Sequence, residues 1–210
     1  MSRYVQYGCG RTAPSAWMNF DASPSLIIQK IPILGWLLRP KMDIIFPSNV
    51  MYGDIVKGLP IAPGSCDGIF CSHVLEHLTL SDFRIALRHT YTMLRDGGVF
   101  RCIVPDLGHA ARVYVMDMEQ GDSSASLRFL EGTMLGKHGR GRGLKAFAQI
   151  FYGNSQHLWM WDELSLTEEL RKAGFRQIRP CHFHDAEDPM FKACEESGRF
   201  VDAISLECRK

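Results

Sequence analysis

The chain has 210 residues, 46% hydrophobic and 22% charged, a balance that gives one globular domain a full core and excludes a disordered half. Its formal net charge of +1 argues against a nucleic-acid or polyanion binder, although Asp and Glu are absent between Gly132 and Trp161. The longest apolar run, residues 26–38, is broken by Gln29, Lys30, Pro32 and Gly35 and falls short of the roughly 20 residues that span a bilayer, so no transmembrane segment is expected.

Residues 3–9 alternate and end in Gly8 and Gly10, which predicts a strand running into a tight glycine turn. Residues 17–21 (WMNFD) form a second strand ending in Asp21. Only Arg11 to Ala16 separate the two, whereas a parallel crossover takes about a dozen residues and contains a helix, so the first crossover helix is expected to be missing. Residues 24–48 then carry Leu26, Ile27, Ile28, Ile31, Ile33, Leu34, Trp36, Leu37 and Leu38, too much apolar surface for a solvent loop. Pro32 and Gly35 interrupt any long amphipathic helix there, which favours an intramolecular cover or a homodimer contact over membrane docking.

A third strand, residues 49–55, ends at Gly53 and Asp54. In the segment 66–78 (CDGIFCSHVLEHL) a short apolar strand gives way to Ser72, His73, Glu76 and His77, which crowd its carboxyl end, where open α/β sheets bind ligands. Phe83, Leu87, Tyr91 and Leu94 recur at helical spacing, with Thr79 or Ser81 as N-cap and Asp96-Gly97-Gly98 as the stop. Residues 99–107 follow as a fifth strand, and strand, helix and strand in that order imply a parallel βαβ unit. Residues 107–136 read as two helices broken by GDSSAS, and 137–145 as a basic loop. Leu166, Leu170 and Ala173 mark a late helix with a capping box at Ser165 and Glu168 and a stop at Gly174. Residues 175–183 and 200–209 are two final strands joined by an acidic loop. The fold expected is a single-domain, Rossmann-like α/β structure over residues 1–210, with a seven-stranded, mostly parallel sheet and a helical and loop insertion over 107–160.

The seven cysteines are odd in number and contain no C-x-x-C pair, and the amino terminus has no charged stretch followed by an apolar one. Reduced, buried thiols in a cytoplasmic protein are the expectation.

His73-Val74-Leu75-Glu76-His77 matches H-x-x-E-H, a zinc-hydrolase pattern in which two histidines share a helix face. The competing reading has Glu76 and His77 anchoring the helix start through hydrogen bonds. Because His73 follows a strand directly, the metal-dependent hydrolase is the weaker alternative, and no metal is expected.

A glycine turn after strand one, an acid ending strand two, an acid after strand three and a polar knot after strand four describe a nucleoside site. Gly8 and Gly10 let backbone approach a ligand, Asp21 can accept from two ribose hydroxyls, and Asp54 can accept from an adenine amino group. In this order the segments YGCG, WMNFDASPS, YGDIVKGLP, CDGIFCSHVLEHL, LRDGGVFRCIVPDL and HLWMWDELSLTEELRKAGF resemble the class I S-adenosylmethionine-dependent methyltransferases, specifically the small type 11 group. The resemblance implies S-adenosylmethionine as cofactor. Gly8 and Gly10 would border its methionine part, Asp21 the ribose, Asp54 the adenine, and Ser72 with His73 the methyl-donor end. A dinucleotide fingerprint places its acid about 20 residues after the glycines, so the closeness of Asp21 argues against NAD.

The sulfonium is already activated, and holding the nucleophile in line supplies much of the rate. His73, with an ordinary pKa of about 6.5, is the candidate general base. Asp106, and His157 with Trp159 and Trp161, are second-rank acceptor contacts, while Asp106 also suits a helix N-cap and the tryptophans suit the core. The basic loop Lys137 to Lys145 could hold an anionic substrate, but it lacks the G-x-x-x-x-G-K-[ST] pattern, which excludes nucleotide hydrolysis. The function implied is methyl transfer to a small-molecule or sugar-like acceptor. The short first crossover leaves a non-catalytic binding or scaffold module as the alternative.

Overall fold

Seven segments pair into one sheet in a computed structural model that describes residues 3–38, 40, 42, 44–139 and 156–210. They are β1 (Tyr4–Tyr7), β2 (Met18–Asp21), β3 (Val50–Tyr52), β4 (Cys66–Ser72), β5 (Leu94–Pro105), β6 (Arg176–Pro180) and β7 (Ala203–Arg209). Their spatial order is β3-β2-β1-β4-β5-β7-β6. Neighbours from β3 to β5 are parallel, and β7 runs antiparallel to both β5 and β6. The α/β class and the mostly parallel seven-stranded sheet expected from the sequence are therefore present.

Alternation along the central strands divides the core in two. Tyr7, Ile69, Cys71, Phe100 and Cys102 face α3 (Leu80–Met93) and a late helix, Glu163–Lys172, whose Leu166 and Leu170 are fully buried. Phe70, Val99 and Ile103 point to the opposite face. There the crossover helix between β1 and β2 is absent, as the ten-residue connection from Gly8 to Trp17, opening with the glycine turn, requires. Residues 181–202 fill its place with two 3-10 turns, Pro189–Ala193 and Ser197–Phe200, and bury Phe191, Ala186 and Cys194 beside Trp17. Gly68 on β4 makes room for this substitute, because a Cβ there would meet Phe191 and Tyr4 at 2.8 Å. Burying a Phe side chain contributes about 1.5–3 kcal/mol, so Phe191 alone is a substantial anchor.

A charged network ties the same segment to the sheet. Arg101 on β5 is fully buried and pairs with Glu207 at 2.6 Å, Glu195 at 2.7 Å and Asp185 at 3.0 Å.

The apolar insertion forms α1 (Pro24–Lys30) and α2 (Pro32–Leu38), two seven-residue helices. Leu26 is buried against Cys9, Phe46 and Val50, and Gln29 holds the Phe46 backbone through two hydrogen bonds of 2.8 and 2.9 Å. Ile33 and Trp36, by contrast, are 81% and 75% exposed. No helix among the described residues is long and apolar enough to cross a membrane.

The strands expected over 3–9, 49–55, 175–183 and 200–209 are shorter in the structure, and two helix boundaries differ from the sequence reading. The α3 helix ends at Met93, and Leu94 with Asp96-Gly97-Gly98 belongs to β5, because Leu94 pairs with Cys66 across a bulge. The late helix, α6 below, begins one turn earlier than Ser165: Asp162 caps it by accepting from Ser165 N at 2.8 Å, so the capping box is Asp162 with Ser165. Between β5 and α6, the helices α4 (Leu107–Glu119) and α5 (Ala125–Gly132) match the two helical stretches expected there. Most of the basic loop, from Arg140 on, lies outside the described residues.

Candidate active site

The site is built where β1, β2, β3 and β4 end. Gly8 and Gly10 adopt φ of +67° and +56°, the left-handed region that turns the chain back on itself. A side chain at Gly8 would collide with Val74, whereas Gly10 faces open space. Gly10 N donates to Asp21 Oδ2 at 3.0 Å and Ser23 N donates to Asp21 Oδ1 at 2.8 Å, so the buried carboxylate ending β2 pins the glycine turn after β1. Gly53 N donates to Asp21 O at 3.1 Å and brings the end of β3 alongside. Asp54 accepts there from Val56 N at 2.9 Å and stands 3.6 Å from Lys57 Nζ. The structure thus brings Gly10, Asp21 and Asp54 together along one edge.

Ser72 closes β4 with a buried Oγ that has no hydrogen-bond partner among the described residues, and Gln6 Oε1 on β1 is in the same state. Such unpaired polar atoms beside a glycine turn fit a ligand with hydrogen-bonding groups. A cavity of about 20 Å³ lies between Gln6, Gly8, Ser72, Cys194, Glu196 and Arg199, room for about one water. Thr12 Oγ1 donates to Glu196, which holds the 181–202 segment over the turn. Glu196 and Arg199 were not visible as site residues in the sequence. The one signal was the missing helix, whose space some other segment had to fill.

His73 has a φ of +53°, uncommon for a residue with a side chain. Its Nε2 lies 3.0 Å from Arg199 O and its Nδ1 lies 3.4 Å from Glu76 Oε1. A carbonyl only accepts, so Nε2 carries a proton and Nδ1 faces the carboxylate. Burial pulls the imidazole pKa down, but hydrogen bonding to Glu76 and to the Arg199 carbonyl outweighs it, and the net shift is upward. Neither nitrogen presents a free lone pair to a substrate while Arg199 stays in place.

The helix required by the H-x-x-E-H hydrolase reading is not formed. Leu75–His77 is one 3-10 turn, and His73 precedes it in a left-handed conformation, so the two histidines share no helix face. Among the second-rank residues, Trp161 is core, 4.2 Å from Phe83 between ring centroids, and Trp159 is 43% exposed. Asp106 occupies the N-cap position of α4 without a side-chain cap bond, 3.6 Å from Arg112.

The strand order β3-β2-β1-β4-β5-β7-β6, with a glycine turn and two acids at the carboxyl edge, defines the class I S-adenosylmethionine-dependent methyltransferase fold. A family profile described as "Methyltransferase domain" matches residues 47–179, and the chain belongs to that family. The match begins beyond Gly8, Gly10 and Asp21.

Solved structures agree on the fold. A SAM-dependent methyltransferase from Archaeoglobus fulgidus is 14% identical with a TM-score of 0.55, covering 100% of this chain and 86% of that one. A Thermotoga maritima SAM-dependent methyltransferase, described as a "possible histamine N-methyltransferase", is 17% identical with a TM-score of 0.50, covering 100% and 83%. Haemonchus contortus phosphoethanolamine N-methyltransferase 2, solved with S-adenosyl-L-methionine, is 13% identical with a TM-score of 0.50, covering 100% of this chain and 48% of that one. Comparison with curated protein sequences gave no match. The cofactor expected from the sequence, S-adenosylmethionine, agrees with the family and with the ligand of this last neighbour.

Proposed function

We propose that the protein transfers a methyl group from S-adenosylmethionine to a small-molecule or sugar-like acceptor. The observation that carries this reading is the Gly8–Gly10 turn pinned by Asp21 at the carboxyl edge of the sheet, beside Asp54 and the unpaired Ser72 hydroxyl. Gly8 and Gly10 would take the methionine part, Asp21 the ribose, Asp54 the adenine, and Ser72 and His73 the donor end. His73 becomes a competent base once its Nε2 leaves the Arg199 carbonyl and the ring takes the tautomer with its proton on Nδ1, toward Glu76, which gives Nε2 a free lone pair. Of the 107–160 insertion, the described parts, 107–139 and 156–160, would border the acceptor, and 140–155 lie outside the described residues. Calorimetry with S-adenosylhomocysteine tests the assignment: saturable binding supports it, and its absence favours the non-catalytic module, a reading motivated by the missing helix and the segment closed over Gly8.

The exposed Ile33 and Trp36 fit a second copy of the chain better than a lipid surface, because α1 and α2 are short and break at Ile31-Pro32. Sedimentation velocity should then show a dimer that Trp36→Ser dissociates, and a monomeric wild type would dispose of the idea. All seven cysteines are free and buried, which supports a reducing compartment such as the cytoplasm.

A further inference from the structure

Glu76, His77 and His157 converge from two distant parts of the chain. The 3-10 turn after β4 swings Glu76 inward, where it is fully buried and neither carboxylate oxygen has a hydrogen-bond donor among the described residues. Its own carbonyl accepts from Leu158 N at 2.8 Å and Trp159 N at 3.1 Å, which fastens the segment carrying His157 against it. His157 is 6% exposed, and its Nδ1 also lacks a partner among the described residues. His77 places Nδ1 3.0 Å from the Gln156 carbonyl, so Nδ1 carries the proton and Nε2 keeps its lone pair. One ligand atom from each of the three residues lies within 4.8 Å of the other two, and the two imidazole rings meet edge to face with centroids 4.9 Å apart.

Three lone-pair groups turned toward one another repel, and a buried carboxylate is costly when its one neighbouring imidazole, His73, stands 3.4 Å from a single oxygen. That contact is long and leaves the second Glu76 oxygen unpaired among the described residues. A cation at the centre resolves both problems.

We propose that Glu76, His77 and His157 bind a divalent transition-metal ion of the manganese-to-zinc series. One carboxylate and two imidazoles suit such ions better than Mg²⁺ or Ca²⁺, which prefer oxygen ligands throughout. The Gln156 carbonyl on His77 is the outer-shell contact that fixes the tautomer of a metal-bound histidine. Three protein ligands leave coordination positions open, as in catalytic sites and unlike structural ones. The sequence pattern made His73 the first ligand of this segment; the geometry puts His157 in its place.

The position gives the ion its role, which rests on the methyltransferase reading above. Glu76 and His77 lie on the 3-10 turn that follows Ser72 and His73, so the ion would sit beside the donor end of the proposed cofactor site, on its acceptor side. A hydroxyl acceptor bound to it has a lowered pKa and gives its proton to solvent water. The oxygen lone pair forms the bond to the methyl carbon as the carbon–sulfur bond breaks, and that bond's electron pair returns to sulfur. The products are a methyl ether and neutral S-adenosylhomocysteine. The substrate class is thus an alcohol or phenol with oxygen free to coordinate.

The test is titration of metal-stripped full-length protein with Co²⁺, followed by calorimetry, visible absorption and thermal unfolding. The site predicts about one equivalent bound, d–d bands and a raised Tm. Glu76→Gln and His157→Ala should each weaken binding by at least about tenfold and abolish the bands. If circular dichroism shows either buried variant unfolded, His77→Ala, at a partly exposed ring, serves in its place. Wild type that binds no Co²⁺, or variants that bind it unchanged, overturns the site. S-adenosylhomocysteine titrated into the same metal-free protein reports separately: cofactor binding without Co²⁺ binding defeats the metal site alone, and Co²⁺ binding without cofactor binding upholds the site while defeating the methyltransferase reading.

Discussion

Asp21 shows how a residue type can be read while its environment cannot. An acid at the end of a second strand was legible because only a carboxylate accepts from both hydroxyls of a ribose, and the glycines before it were legible because a tight reversal needs positive φ. That both its oxygens already accept backbone N–H groups was not legible, since it depends on how the short crossover from β1 folds. Each oxygen retains a second lone pair for a ligand hydroxyl. Asp21→Ala should therefore weaken S-adenosylhomocysteine binding by about tenfold to a hundredfold, the effect of losing ~1.5–3 kcal/mol of charged hydrogen bonding. An unchanged dissociation constant would exclude the ribose role. His73 marks the limit of such reading: its Nε2 is held by a backbone carbonyl 126 residues away, and no local pattern encodes that contact.

At the scale of elements, strands and helices with clear periodicity were found and their ends were displaced. The α6 helix illustrates the cause. Its apolar stripe, Leu166 and Leu170, marks the buried face, but Asp162 and Ser165 both suit an N-cap, and the choice falls to Asp162 because its carboxylate reaches Ser165 N. The polar side of α6 carries Glu169, which accepts from Arg84 Nε on α3 at 2.7 Å and from Arg84 Nη2 at 2.9 Å. Hydrogen bonding to Arg84, with Lys172 in support, lowers the Glu169 pKa from 4.5 to about 2 against the opposing effect of burial. A depressed folded pKa means that the pair stabilises the fold fully above the unfolded value. That contribution is lost as pH falls from 4.5 toward about 2. Urea unfolding across this window should show wild-type stability declining more steeply than that of Glu169→Gln, with the two curves converging at the acid end. Parallel curves would mean that the ion pair is screened by solvent and contributes nothing.

At the scale of the whole molecule, a seven-stranded, mostly parallel sheet was foreseeable from the sequence of strand and helix signals, but its strand order and the cover of its second face were not. The six residues between the glycine turn and Trp17 announce that a helix is missing without saying what replaces it. The answer lies near the carboxyl terminus, in a stretch that reads as an acidic loop: Glu195 pairs with buried Arg101, Phe191 fills the space above Gly68, and Glu196 reaches Thr12. This arrangement has a functional consequence. On the proposed reading, in which the methionine part lies on the glycine turn, the roughly 20 Å³ left beside Gly8 admits about one water, and residues Glu196 to Phe200 would withdraw to admit the cofactor. Withdrawal would also free His73 from the Arg199 carbonyl and so couple cofactor binding to release of the candidate base. If the closed form dominates, apparent affinity is reduced by the fraction of open molecules, and weakening the latch should raise it. Glu196→Ala removes the Thr12 contact without touching Gly8, Asp21 or Ser72. Losing one hydrogen bond of about 0.5–1.5 kcal/mol should increase apparent S-adenosylhomocysteine affinity roughly twofold to tenfold. Calorimetry on Glu196→Ala, with Thr12→Val as the matching change on the other side of the latch, measures this directly. Equal or weaker binding in both variants would show that the segment belongs to the binding surface and does not gate it.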